Sequence, residues 1–256
     1  MTEKTLNNRK NGMVVLLLLV LVYVASVVLF IFGVSYDILP LTLISCVWFV
    51  FGWIFFLGLK VLKPQEALVL TLFGKYVGTL KNSGFYFVNP FCTAVNPAAG
   101  TKLNQSGDVK VLGAKQPSGG VDVSIDIPTK KISLKIMTLN NNRQKINDCL
   151  GNPVEIGIAV MWRVVDTAKA VFNVDNYKEY LSLQCDSALR NIVRIYPYDI
   201  APNVDTTGDG IADEGSLRGS SEVVAARIKD EIQDKVSEAG IEILEARITY
   251  LAYAPE

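Results

Sequence analysis

MVVLLLLVLVYVASVVLFIFGV (Met13–Val34) and ILPLTLISCVWFVFGWIFFLGL (Ile38–Leu59) stand almost back to back, with Asp37 the only charge between them. Each run has 22 residues; at about 1.5 Å per residue a helix of that length reaches about 33 Å, enough to cross a hydrocarbon core of about 30 Å. The joint Ser35-Tyr36-Asp37 is short, so the runs predict a transmembrane hairpin with both chain ends on one side. Lys4, Arg9 and Lys10 precede the first span and Lys60 and Lys63 follow the second, while the joint carries no basic residue. That asymmetry predicts cytoplasmic termini in a multi-pass protein of the plasma or inner membrane. A cleaved signal peptide fits poorly, because the first run is too long for a signal core and a second follows at once. The expected organisation is a cytoplasmic tail over residues 1–12, a hairpin over 13–59 anchored from Met13 to Val34 and from Ile38 to Leu59, and a soluble domain over 60–256.

Lys and Arg together number 25 and Asp and Glu number 25, giving zero formal net charge. The basic residues are scattered, so no nucleic-acid surface is expected. The chain has no histidine, which removes the commonest general base, His-based triads and His metal sites. Neither a phosphate-loop nor a dinucleotide glycine pattern occurs, and no catalytic or cofactor-binding residue stands out. Cys46 lies within the second span; Cys92, Cys149 and Cys185 are far apart and read as buried thiols in a reducing compartment.

In the soluble part, Glu66 to Phe73 is apolar on both faces and stops at Gly74, predicting a buried strand, and Gly78 to Val88 reads as a turn and a second strand. From Asn152 to Asp166, Val154, Ile156, Ile158, Val160, Trp162 and Val164 alternate with polar residues, which predicts a half-buried strand. Leu181, Cys185, Ala188, Leu189, Ile192 and Tyr196 follow a helical period that must end before Pro197. A second helix is expected from Ser220 or Ser221 to Gly240, with Val224, Ile228, Ile232 and Val236 at four-residue steps. Arg227, Glu231 and Lys235 form a charge ladder on another face of it, a solvated face or a surface that sets the register of a neighbouring copy. After Gly240, Leu244, Ala246, Ile248, Tyr250 and Ala252 alternate against Glu245, Arg247 and Thr249, predicting a last strand. Strands, then two helices, then a strand make an α+β domain. The Gly-, Ser- and Pro-rich stretch at about 93–129 reads as an inserted loop, with Val109–Leu112 and Val121–Ile127 as a candidate hairpin.

The elements carry a collinear set of motifs: Pro64-Gln65-Glu66, Phe73-Gly74-Lys75-Tyr76, Gly84 with Asn89-Pro90-Phe91, Asn152-Pro153-Val154-Glu155, Trp162-Arg163-Val164-Val165-Asp166, Ala188-Leu189-Arg190, Tyr196-Pro197-Tyr198-Asp199, and Gly240-Ile241-Glu242 through Glu245-Ala246-Arg247. In these the chain resembles the SPFH or band-7 domain of the stomatin, prohibitin, flotillin and HflK/C superfamily. The resemblance implies an α+β SPFH domain behind the hairpin and a non-enzymatic scaffold. Such a scaffold forms homo-oligomeric rings or cages, organises membrane microdomains in the lipid bilayer and restrains or recruits membrane proteins such as proteases, without a cofactor.

Two rival readings come from the residues themselves. Asp205, Asp209 and Asp213, around Gly210, resemble an oxygen-rich Ca²⁺ loop, which would make the protein a calcium-responsive binding module. Thr207 and Ser216 stand where that loop expects a carboxylate or amide and a bidentate Glu, so poor affinity is expected. A membrane hydrolase with a Ser/Lys site is the other, but no Gly-x-Ser-x-Gly elbow is present.

Overall fold

The computed structural model describes residues 2–6, 11–106, 108–111, 129–141, 143–199 and 215–254. The elements begin with α1 (Gly12–Ser35), α2 (Leu39–Phe51), a 3₁₀ helix (Gly52–Gly58), β1 (Leu59–Leu62), β2 (Glu66–Leu72), β3 (Lys75–Leu80), β4 (Gly84–Phe87) and β5 (Thr93–Ala94). They continue with β6 (Thr101–Ser106), β7 (Asp108–Val111), β8 (Ile132–Ser133), β9 (Met137–Asn141), β10 (Gln144–Asn147) and β11 (Pro153–Val164). Next come α3 (Thr167–Phe172), α4 (Tyr177–Val193), α5 (Ser221–Val236) and β12 (Ile241–Tyr253). The chain divides into two compact units: Lys4–Val95 with Lys130–Ser133, and Asn96–Thr129 with Leu134–Glu256 and the first three residues.

In the first unit the helical hairpin runs straight into a small β structure. The second apolar run is α-helical only to Phe51 and continues as a 3₁₀ helix. At about 1.5 and 2.0 Å per residue the two parts together still reach about 34 Å. At Gly58 the chain passes so close to its neighbour that a Cβ would lie 2.4 Å from the Val88 carbonyl oxygen; Val88 N–H donates to Gly58 C=O there, at 2.9 Å. β1 then pairs antiparallel with β4, and β2 with β3, β5 and β8. The strand expected within Gly78 to Val88 is β4, but Gly78 itself belongs to β3 and the turn before β4 falls at residues 81–83; the chain also reverses at Phe73-Gly74, where Leu72 faces Lys75 across a two-residue loop. Both loop residues have positive φ, 48° and 82°, the requirement of the turn type that matches strand twist. The core of this unit is Leu62, Leu68, Leu70, Leu80, Tyr86, Val88 and Cys92.

The second unit is a six-stranded sheet in which β11 is central, flanked by β12 along its whole length on one side and by β10 and β9 on the other, followed by β6 and β7. The alternation expected in β11 is observed: Val154, Ile156, Ile158, Val160, Trp162 and Val164 are all buried, with Trp162 edge-on to Tyr177 of α4. Two expectations change. The 93–129 stretch is not a loop throughout: Thr93–Ala94 pairs with β2, and Thr101–Ser106 runs beside β9 in the large sheet. Val109 pairs with Leu103, while the Val121–Ile127 half of the expected hairpin lies outside the described residues. In β12 the buried set is Ile241, Ile243 and Ala246; of the expected row from Leu244 to Ala252 only Ala246 is buried, the other members being half-buried. Register shifts opposite Met161/Trp162 and Gly157/Ile158 leave Leu244 and Thr249 unpaired, and each extra residue reverses the side-chain phase of the strand.

Candidate membrane anchor and assembly surfaces

Along α1 only Gly12, Leu19, Ser26 and Gly33 are buried, at successive seven-residue steps. That spacing keeps one narrow stripe facing inward: Gly12 lies against Phe85 of β4 and Gly33 against Thr42 of α2, and small residues on the stripe let backbones approach closely. At Gly33 a Cβ would lie 2.7 Å from Thr42 Cγ2. Ser26 and Ser45 send their hydroxyls to backbone carbonyls within their own helices, Tyr23 and Leu41 respectively, and Tyr23 donates across the hairpin to Phe49 C=O at 2.7 Å. Nearly every large side chain of the two helices points outward instead: Leu17, Leu21, Leu39 and Ile44 are each more than 60 % exposed. Asp37 holds the joint with φ 52°, a conformation that short polar residues tolerate.

Both ends of the hairpin are tied to the same β structure. Before α1, Leu6 N–H donates to Thr79 C=O (2.9 Å) and Thr79 N–H to Lys4 C=O (2.8 Å), and the Leu6 side chain packs on the first unit's core. After the second apolar run, Leu62 lies in that core. Glu66 accepts from Lys131 Nζ (2.9 Å) and Lys63 N–H (3.1 Å). Desolvation raises its pKa, but these two partners outweigh it and the carboxyl sits below its ordinary range.

In the second unit the sequence motifs meet in pairs. Asp166 caps α3 by accepting from Lys169 N–H (2.9 Å), and its own N–H donates to Gly240 C=O (3.1 Å). Gly240 has φ 66°, and a Cβ there would lie 2.2 Å from the Asp166 carbonyl oxygen. Arg163 pairs with Glu242 at 2.6 Å. Buried Asp148, which no motif contained, accepts from Leu150 N–H, Asn152 N–H and Nδ2, and Tyr198 N–H; it thereby joins the Asn152-Pro153 and Tyr196-Pro197-Tyr198 segments. Lys178 is half-buried, its Nζ donating to the Ala98 and Thr101 carbonyls, and partial burial holds its pKa below the ordinary lysine range.

The charge ladder of α5 has partners inside its own chain. Arg227 lies over the Tyr196 ring at 5.4 Å, Glu231 pairs with Lys235 at 2.8 Å, and Asn191 of α4 donates to Glu231 at 3.2 Å. Lys235 and Asn191 together hold the Glu231 carboxyl below its ordinary pKa. Among the cysteines, Cys92 and Cys185 are buried as expected, but Cys149 is exposed: the turn that Asp148 ties inward presents the next side chain outward. Asp205, Asp209 and Asp213 lie outside the described residues, and among the described residues no cluster of carboxylates and thiols has the geometry of a metal site.

No curated protein matches the chain. The family profile of the SPFH domain / Band 7 family matches residues 60–256. With two apolar helices of spanning length directly before that region, the chain belongs to the SPFH domain / Band 7 family.

Proposed function

We propose that the protein is a non-enzymatic scaffold anchored by a two-span hairpin. It self-associates, organises the surrounding bilayer and recruits or regulates membrane proteins, membrane proteases among them. The observation that carries this reading is the junction: Leu6 before the hairpin and Leu62 after it pack on one core, while the helices between them turn large apolar side chains outward. A connection of that kind ties both ends of the hairpin to the small β structure that follows it. It also supports a topology in which both ends lie on one side, and the basic residues flanking the hairpin favour the cytoplasm.

The test is topological. Asp37→Cys is expected to react with an impermeant thiol reagent on intact cells, while exposed Cys149 is labelled only after permeabilisation. Labelling of Cys149 in intact cells would put the domain outside and sink the orientation. Release of the protein from membranes by an alkaline wash would sink the anchor itself.

A further inference from the structure

β12 is an edge strand. The hydrogen bonds Val165 N–H to Gly240 C=O and Ala254 N–H to Pro153 C=O, at its two ends, show that odd-numbered residues of β11 turn their backbone polar groups toward it. Their partners Glu242, Glu245, Arg247, Tyr250 and Ala252 therefore face β11. The N–H and C=O of Ile243, Ala246, Ile248 and Leu251 face the other way, where no described strand pairs with them; Gln233 of α5 covers the start of this edge, accepting from Ile243 N–H (2.7 Å) and donating to Ile241 C=O (3.2 Å), so the edge from Ala246 onward is the part offered to a partner. The unpaired residues Leu244 and Thr249 bracket a short regular stretch, and it is this stretch that borders a groove of about 550 Å³ whose opposite wall is Glu222, Ala225, Ala226 and Lys229 of α5.

We propose that this edge is where two copies of the chain join, β12 against β12 in antiparallel register centred on Ala246. The proposal rests on the self-association put forward under Proposed function and specifies its surface. The sequence is self-complementary about that point. A two-fold axis through Ala246 sets Glu245 opposite Arg247 of the second copy and Arg247 opposite its Glu245 on one face of the sheet, with Ala246 facing its own counterpart on the other. Centring on Ala246 also puts outward-facing backbone groups opposite each other, as a hydrogen-bonded antiparallel pair requires. Ala225 and Ala226 line the same groove as the 244–248 stretch, so the proposed pairing brings the α5 helices of the two copies side by side. Glu222 and Lys229 flank the two alanines on that wall, and the proposed antiparallel helix pair sets Glu222 toward Lys229 of the second copy. Glu245 and Arg247 now pair with each other at the surface, their side chains 40 % and 67 % exposed, and each would exchange that contact for an equivalent one across the axis. Strand edges left bare are templates for such pairing, and the bulges at Leu244 and Thr249 bound the regular stretch that can take part.

The experiment uses the full-length protein in mild detergent, with mass measured by light scattering over a dilution series. Arg247→Glu alone, or Glu245→Arg alone, sets like charges opposite each other twice and is expected to weaken dimer formation about tenfold or more. A mixture of the two variants restores opposite charges at both places and is expected to recover wild-type association as mixed dimers. That recovery cannot come from repair within one chain, since each variant keeps its own substitution. Unchanged association of each variant alone, or failure of the mixture to recover, overturns the proposal. A second pair, Glu222→Lys and Lys229→Glu, follows the same logic on α5 and tests the same interface independently should a β12 variant misfold. Wild-type protein that is monomeric at every concentration would instead overturn the self-association reading itself.

Discussion

Phe73 is a bulky residue in a left-handed conformation, 88 % exposed, stacked on Phe91 with ring centroids 6.4 Å apart. The strain of that conformation is about 1 kcal/mol or more for a residue with a Cβ, and an exposed ring pair offsets only part of it. Phe73→Asn, which makes the preferred Asn-Gly turn, is therefore expected to raise the thermal midpoint of the first unit in detergent; a fall would mean that the Phe73–Phe91 stack outweighs the strain. Gly240 is the opposite case, since both its φ and the 2.2 Å approach to Asp166 exclude a side chain. Gly240→Ala is expected to cost roughly 2 kcal/mol or more, read as loss of folded protein on denaturant titration. Single residues were unevenly legible in the sequence. Gly240 and Pro197 announce their turns through residue type alone, whereas Asp148 and Lys178 look like surface charges until the backbone groups they bind are placed around them. Their partners lie as far as 50 and 80 positions away, and no local pattern encodes such distances.

At the scale of elements, β11 was legible because its alternation is unbroken and one face is buried throughout, whereas β12 was legible as a strand but not in phase. A bulge leaves no signature in a period-two reading other than a shift, and two bulges nine and four residues from its end residue Tyr253 leave each regular stretch too short to show one. The short strands β1, β9 and β10 and helix α3 gave no periodic signal, being six residues or fewer. In α1 every position is apolar or small, so hydrophobic periodicity is silent, and the seven-residue spacing of Gly12, Leu19, Ser26 and Gly33 is the signal that locates its seam. Trp162 tests β11. It is 1 % exposed, and Trp162→Ala is expected to cost roughly 3–5 kcal/mol through lost burial and the cavity left against Tyr177. Destabilisation below about 1 kcal/mol in a denaturant titration would contradict its place in the core.

For the whole molecule, two charged surfaces compete for the role of assembly interface, and their local partners tell them apart. The α5 ladder is engaged with α4: Glu231 binds Lys235 and Asn191, and Arg227 covers Tyr196. The Glu245–Arg247 pair lies on an open edge and touches no other element through its ion pair. Reversing Arg227 and Lys235 to Glu should therefore act mainly within the chain, lowering the thermal midpoint while leaving the mass in detergent unchanged. The acid response follows from the same contacts. The folded-state pKa of Glu231 is depressed below the ordinary value of 4.5, so the stability it contributes is fully present above that value and is lost as pH falls through the lower, folded-state one. In the double variant that part of the acid destabilisation shrinks, because Glu231 no longer has Lys235 to favour its ionised form and keeps only Asn191. A thermal midpoint recorded between about pH 6 and 3 should thus fall less steeply for the variant than for the wild type. A variant that melts with the wild-type pH profile but associates more weakly at low salt, where charge pairs are least screened, would return the ladder to the interface.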